Sequence, residues 1–254
     1  MGEWAAATGL WDRTEGIVNW TGSKWVEDTM DGGVSSWLND ITDGDGKKME
    51  LRSWKGPDGD NPLIEPGSLR ESPDVQSREG SEDKLKASCH CGGVKFYITR
   101  PSEASKTVQS PYPDLITPYH SESPANPNNE AWWVRNDTKY LAGTCACTSC
   151  RLALGFEIQT WAFVPKCNIF REDGTGLTYE MGTLKQYPSR DGVWREFCGV
   201  CGATAFWHCE ERPELVDVSV GLLDPAHGAR VEGWLDWYVI FIFLGFNFLF
   251  GAVR

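Results

Sequence analysis

Seven of the chain's nine cysteines fall in three tight clusters: Cys89-His90-Cys91, Cys145-Ala146-Cys147-Thr148-Ser149-Cys150 and Cys198-Gly199-Val200-Cys201. Thiolates one or two residues apart can converge on one ion from a single tight turn, and zinc takes soft sulfur ligands at ~2.3 Å. Gly92, Gly199 and Gly202 flank the clusters, where they let the turn bend sharply and bring backbone N–H groups toward sulfur. The N-terminus, Met1-Gly2-Glu3-Trp4-Ala5-Ala6-Ala7-Thr8, has neither a basic n-region nor an apolar h-region, so no secretory signal is read there. The expected location is cytoplasmic, where reduced thiols serve as ligands or nucleophiles more often than as disulfides.

Seven thiolates do not make two closed four-sulfur sites; they make one closed site and one three-sulfur site. The simplest partition joins Cys89 and Cys91 with Cys198 and Cys201 around a closed structural zinc. Cys145, Cys147 and Cys150 then hold a second zinc whose fourth position is open, the property that separates catalytic from structural zinc. Two other readings stay open: one structural zinc with the trio as free thiols, or a redox dithiol in one cluster. Cys167 and Cys209 stand alone and are expected as small core residues. His90, between two ligands, and His208, in an aromatic stretch, read as structural; His227 is a further ligand or proton-relay candidate. Arg195 and Glu196, although close to Cys198 in sequence, are assigned to structure as well, so no catalytic residue beyond the open zinc site is named.

The texture of the chain changes around residue 86. Residues 1–55 are irregular and hold six of the thirteen tryptophans, and residues 56–86 carry prolines among Gly, Ser, Asp and Glu, the composition of a flexible linker. Beyond it, Gly93–Ile98 and Val216–Val220 alternate apolar and polar residues, and Glu157–Val164 and Ala203–His208 are rich in strand-forming types. Leu184–Tyr187 and Val193–Phe197 read as a hairpin joined through Pro188-Ser189-Arg190-Asp191-Gly192. No helical period is sustained, so the domain at 87–238 is expected to be mainly β. Residues 101–130, with six prolines and His120, form a surface insertion. The net charge of −12 lacks the basic footprint a nucleic acid requires. Residues 239–254 are almost wholly apolar and fit a membrane anchor, a buried strand pair or a tail translated from non-coding sequence; membrane contact is expected only in the first case.

Ser88-Cys89-His90-Cys91-Gly92-Gly93-Val94, Gly143 to Arg151, Gly182 to Tyr187, Arg195 to Ala203 and Val218 to Asp224 together resemble the glutathione-dependent formaldehyde-activating and centromere-protein-V-like family. The resemblance covers roughly residues 87–238. It implies a zinc-stabilised β-tent of small antiparallel sheets with two zinc ions, ligated by the same four-plus-three division of cysteines. It also implies carbon–sulfur lyase activity that joins glutathione and formaldehyde as S-hydroxymethylglutathione. The 101–130 insertion is longer than in compact members and is similar to that of fungal-type relatives. The segment from Gly9 through Leu38 looks like the C-terminal end of a preceding copy that lacks its cysteines.

Two functional classes follow. In the first, the open side of the trio zinc takes a small thiol such as glutathione as thiolate, which adds to an aldehyde or is released from its thiohemiacetal adduct. Three thiolate ligands mute the ion's Lewis acidity and favour sulfur exchange over hydrolysis. In the second, the zinc domain is a non-catalytic protein-binding module whose acidic surface and Trp-rich N-terminal segment meet a partner. Neither class fixes the oligomeric state.

Overall fold

Val94, Phe96 and Ile98 alternate with Lys95, Tyr97 and Thr99, and the first set is buried at 0–2% exposure. The computed structural model in which this is seen describes residues 6–12, 17–18, 21–38, 47–48, 51–56, 63–64, 83–110, 124, 126–128 and 130–238. Its strands are β1 (Gly22–Ser23), β2 (Arg52–Ser53), β3 (Lys84–Ser88), β4 (Lys95–Thr99), β5 (Val134–Arg135), β6 (Lys139–Cys145) and β7 (Gln159–Pro165). They continue with β8 (Ile169–Arg171), β9 (Leu184–Arg190), β10 (Val193–Cys198), β11 (Thr204–Cys209), β12 (Leu215–Ser219) and β13 (Leu235–Tyr238). The architecture is mainly β, and it includes one large sheet as well as small ones.

An eight-stranded sheet runs in the order β13-β6-β7-β12-β11-β10-β9, with β5 added against β6, and a three-stranded sheet runs β3-β4-β8. Within these two sheets neighbouring strands are antiparallel except β13, which joins β6 in parallel with Leu235 opposite Tyr140. Strand alternation decides what lies between the two sheets. Leu85, Phe96, Ile98 and Ile169 from the small sheet meet Tyr140, Ala162, Val164, Phe206, Val216 and Val218 from the large one in a single core. The Phe96 and Phe206 rings pack with centroids 4.9 Å apart. The opposite face of the large sheet carries a smaller cluster of Trp132, Trp133, Val134, Leu141 and Leu215. The hairpin expected between Leu184 and Phe197 is β9–β10, in antiparallel register with Arg195 opposite Tyr187.

Ordered pairing reaches into the stretch read as a linker. Trp54 bridges Leu63 and Lys84 opens β3, where Leu85 is fully buried. An apolar residue facing the core supplies the burial that offsets ordering there. In the proline-rich insertion, Ser102 and Ser105 close a reciprocal capping box around the short helix Glu103–Lys106. The carbonyl of Ser105 accepts from Trp133 Nε1 at 2.9 Å. The insertion's residues 111–123, His120 among them, and the apolar segment 239–254 lie outside the described residues. Among those that are described, no helix is long and apolar enough to cross a membrane.

The N-terminal segment is irregular, with 3-10 turns at Thr8–Leu10, Glu27–Thr29 and Gly33–Trp37. It is clamped to the C-terminal part of the domain through Asp31 and Arg230, 4% and 2% exposed. Asp31 Oδ2 accepts the Arg230 backbone N–H at 2.7 Å, and the Arg230 guanidinium donates to the Asp31 and Gly33 carbonyls. Gly228, at φ +78°, lies so close that a Cβ there would meet Asp31 Oδ2 at 2.5 Å. Trp37 and Trp237 close the contact edge to face, with centroids 4.9 Å apart.

Candidate metal centres

Two sulfur clusters lie apart from one another, and each is built by loops that leave the sheets. The first joins the turn after β3 to the turn after β10. It brings the Sγ atoms of Cys89, Cys91, Cys198 and Cys201 within 4.8 Å of one another. Sulfurs bound tetrahedrally to one zinc at ~2.3 Å stand ~3.8 Å apart. Here Cys89 to Cys91 is 3.6 Å and Cys91 to Cys198 is 3.5 Å, so the cage has the dimensions such an ion needs. Backbone N–H groups point at the sulfurs, Val94 to Cys89 at 3.2 Å and Val200 to Cys198 at 3.4 Å.

The loop before β9 ties these two turns together. Thr183 N–H donates to the Gly93 carbonyl and the Thr183 carbonyl accepts from Gly199, while its hydroxyl lies 3.0 Å from Cys198 Sγ. Gly182 makes this approach possible: at φ +55°, any Cβ would fall 2.1 Å from the Gly93 carbonyl oxygen. The Cys201 N–H, with the Thr183 hydroxyl, brings the Cys198 thiol down to about 5. Cys201 is lowered too, chiefly by the Ala203 N–H. Although the Gly93 N–H favours its thiolate, Cys91 is pushed up to about 12 by its sulfur neighbours, Cys198 first.

The second cluster sits where β6 ends. Cys145 is the last residue of that strand, opposite Gln159 of β7, and Cys147 caps the N-terminus of the helix Thr148–Leu154 by accepting from Cys150 N–H at 3.4 Å. This helix is absent from the reading of the sequence: at seven residues it is too short to show a period, and its signal is the capping Cys147 followed by the left-handed Gly155 at φ +72°. The three sulfurs lie within 4.8 Å of one another, and among the described residues no fourth Cys, His, Asp or Glu joins them. Cys150 is buried, Cys145 half-buried and Cys147 exposed, so the cluster is open on one side. Hydrogen bonds from the Cys145 and Cys150 thiols hold Cys147 far below the usual thiol range, and the same contacts drive Cys145 far above it.

Arg195 of β10 reaches this cluster from the sheet. Its Nη2 donates to Ser149 Oγ at 2.9 Å and to Cys150 Sγ at 3.5 Å. Sequence distance hid this contact, since Arg195 adjoins the other cluster along the chain. Glu196 points to the opposite face, where Oε1 accepts from Gln186 Nε2 at 2.8 Å and lies 2.9 Å from His208 Nε2. His208 is stacked between Tyr179 and Trp194. His90 is exposed on its turn, and His227 is buried in the Pro225–His227 turn, in neither sulfur cluster. Cys209 is buried, as expected, but Cys167 is not a core residue: it is exposed in the 3-10 turn Lys166–Asn168, with Sγ 3.3 Å from Asn168 Oδ1. That turn leaves the sheet between β7 and β8, which turns Asn168 inward and Cys167 outward.

The outer end of the cysteine helix is held by the N-terminal segment. Arg151 Nη1 donates to the carbonyls of Gly9 and Trp11, at 3.1 and 3.3 Å, and Gly9 N–H donates to Gly155 at 3.1 Å. A Cβ on Gly9 would strike the Phe156 backbone at 2.5 Å.

Residues 134–238 match the family described as glutathione-dependent formaldehyde-activating enzyme. The match holds the trio together with Cys198 and Cys201, and Cys89 and Cys91 precede it. No curated protein matches the chain. A solved structure of a Rhodobacter sphaeroides protein is similar at 17% identity over 60% of this chain and 99% of its own, with a TM-score of 0.34; at that score the likeness decides nothing about fold or function.

Proposed function

From the match of residues 134–238 to the glutathione-dependent formaldehyde-activating family, we propose a zinc-dependent enzyme of the carbon–sulfur lyase type. Its substrates are a small thiol of the glutathione kind and an aldehyde such as formaldehyde, or the thiohemiacetal adduct of the two. One observation carries the reading: three sulfurs converge on one point, one side is exposed, and among the described residues no fourth Cys, His, Asp or Glu joins them. A site meant only to brace the fold closes its fourth corner with protein, as the four-cysteine cluster does.

Cys89, Cys91, Cys198 and Cys201 would hold the structural ion, and Cys145, Cys147 and Cys150 the other. When bound at the trio, zinc supplies the means of holding an incoming thiol as its thiolate at neutral pH. The chain's own residues fix where that happens. Cys150 is anchored by Arg195 and by its place on the helix, Cys145 by its pairing with β7, and the exposed Cys147 marks the side from which a small molecule enters. In the forward reaction the thiolate lone pair forms the C–S bond to the carbonyl carbon, and the π electrons move to oxygen, which takes up a proton. Cleavage runs the same steps backward.

Metal analysis of the full chain tests this. The intact protein is expected to hold two zinc ions and Cys147→Ala one, with glutathione altering the visible spectrum of the cobalt-substituted intact protein only. Two ions in the variant with unchanged thiol binding would overturn the assignment. Silence of the intact protein toward glutathione and other small thiols would make the domain a zinc-stabilised binding module instead.

A further inference from the structure

We propose that Arg195 is a positioning residue that sets the charge at the trio and so selects an anionic sulfur ligand over a neutral donor on the open side. The inference rests on the thiol chemistry proposed above and identifies what in this chain gives preference to a thiolate.

Arg195 is 6% exposed, yet only Nη2 of its guanidinium has hydrogen-bond partners, Ser149 Oγ and Cys150 Sγ. Nε and Nη1 are buried without any partner among the described residues. Among the described residues no carboxylate pairs with it. Asp217, the acidic residue on nearby β12, is engaged by Arg212 at 2.7 Å, and Glu196 is turned away toward Gln186 and His208. A buried cation without a counter-charge is strongly disfavoured, and an apolar side chain would fill the same space without that cost. Asp217 acts on Arg195 through space without a hydrogen bond between them, so the sulfur cluster is the anionic group that the guanidinium touches.

Charge counting gives the consequence. Three thiolates around a divalent cation carry one net negative charge, which Arg195 balances. A fourth thiolate adds a second negative charge in a partly buried place, and with the guanidinium beside Cys150 the site then carries one net negative charge instead of two. A neutral fourth ligand brings no charge and gains nothing from Arg195.

The test uses the cobalt-substituted full chain, titrated separately with glutathione and with imidazole, an uncharged donor, while the cobalt spectrum is followed. Arg195→Gln is expected to weaken glutathione about tenfold or more and leave imidazole nearly unchanged, and Arg195→Lys to restore most of the loss. Equal weakening of both ligands, no weakening of either, or a lysine variant that behaves like glutamine would overturn the proposal. If Arg195→Gln fails to load cobalt at the trio, the lysine variant decides: a kept preference for glutathione supports the charge role, and a lost one overturns it. Failure of the intact protein to bind glutathione would count against the enzyme reading itself, a result separate from any of these.

Discussion

Cys91 and Cys198 lie 3.5 Å apart, and the first is pushed up to about 12 while the second falls to about 5. At neutral pH Cys198 thus stands ready as thiolate and Cys91 still holds its proton, which a metal ion must displace on entry. Because lowering the pH returns protons to the competition, affinity at the four-cysteine site should fall by about tenfold per pH unit for each proton displaced. Competition against a zinc indicator at several pH values between about 6 and 8 reads this slope, and a flat profile contradicts it. Gly182→Ala should destabilise the domain by about 2–3 kcal/mol in urea unfolding, since its Cβ would overlap the Gly93 carbonyl at a backbone angle only glycine accepts easily. Residues of this second kind are hard to read from sequence. The clustered cysteines announce themselves because type and spacing together encode convergence on an ion. Thr183 and Arg195 are ordinary residues whose importance comes from what the fold brings beside them, and nothing in their immediate neighbours records it. Cys167 fails in the opposite direction: its type favours burial, but the turn it occupies faces solvent.

Among the elements, the strands were legible wherever one face is buried. Val216 and Val218, and Val94, Phe96 and Ile98, point inward as their alternation requires. The cysteine helix was not, because seven residues give too few turns for a pattern. The N-terminal segment shows another limit. Its sequence looks like the end of a preceding copy, whereas its contacts make it part of the domain it precedes, through Asp31 with Arg230 and Gly9 with the cysteine helix. Asp31→Ala removes the carboxylate that faces the fully buried end of Arg230, leaving the half-exposed Glu232 as the remaining ion-pair partner. A stability loss of roughly 3 kcal/mol in urea unfolding is expected, with Asp31→Asn retaining part of it. A change under half a kcal/mol would mean that the segment is only loosely attached.

For the whole molecule, the two sulfur sites have different duties. The four-cysteine site staples the β3–β4 turn of one sheet to the β10–β11 turn of the other, so its ion is coupled to the packing of the core between them. The trio sits where β6 ends, with one sulfur exposed, and closes no such bridge between sheets. Withdrawal of metal by a chelator should therefore proceed in two stages: an early one from the trio with little change in tryptophan fluorescence, then a late one accompanied by loss of tertiary structure. A single stage in which both ions leave together with the fold would refute this division.

The position of β3 and β4 also bears on how the protein can be divided. The region that sequence similarity marks out begins at residue 134, and half of the four-sulfur cage enters the fold from upstream of that line. A fragment cut there would keep five of the seven clustered cysteines, leave Cys198 and Cys201 reaching for an ion with no opposite pair, and lay the inner face of the large sheet bare where Phe96 and Ile98 had covered it. The smallest self-sufficient piece is larger than its recognisable signature.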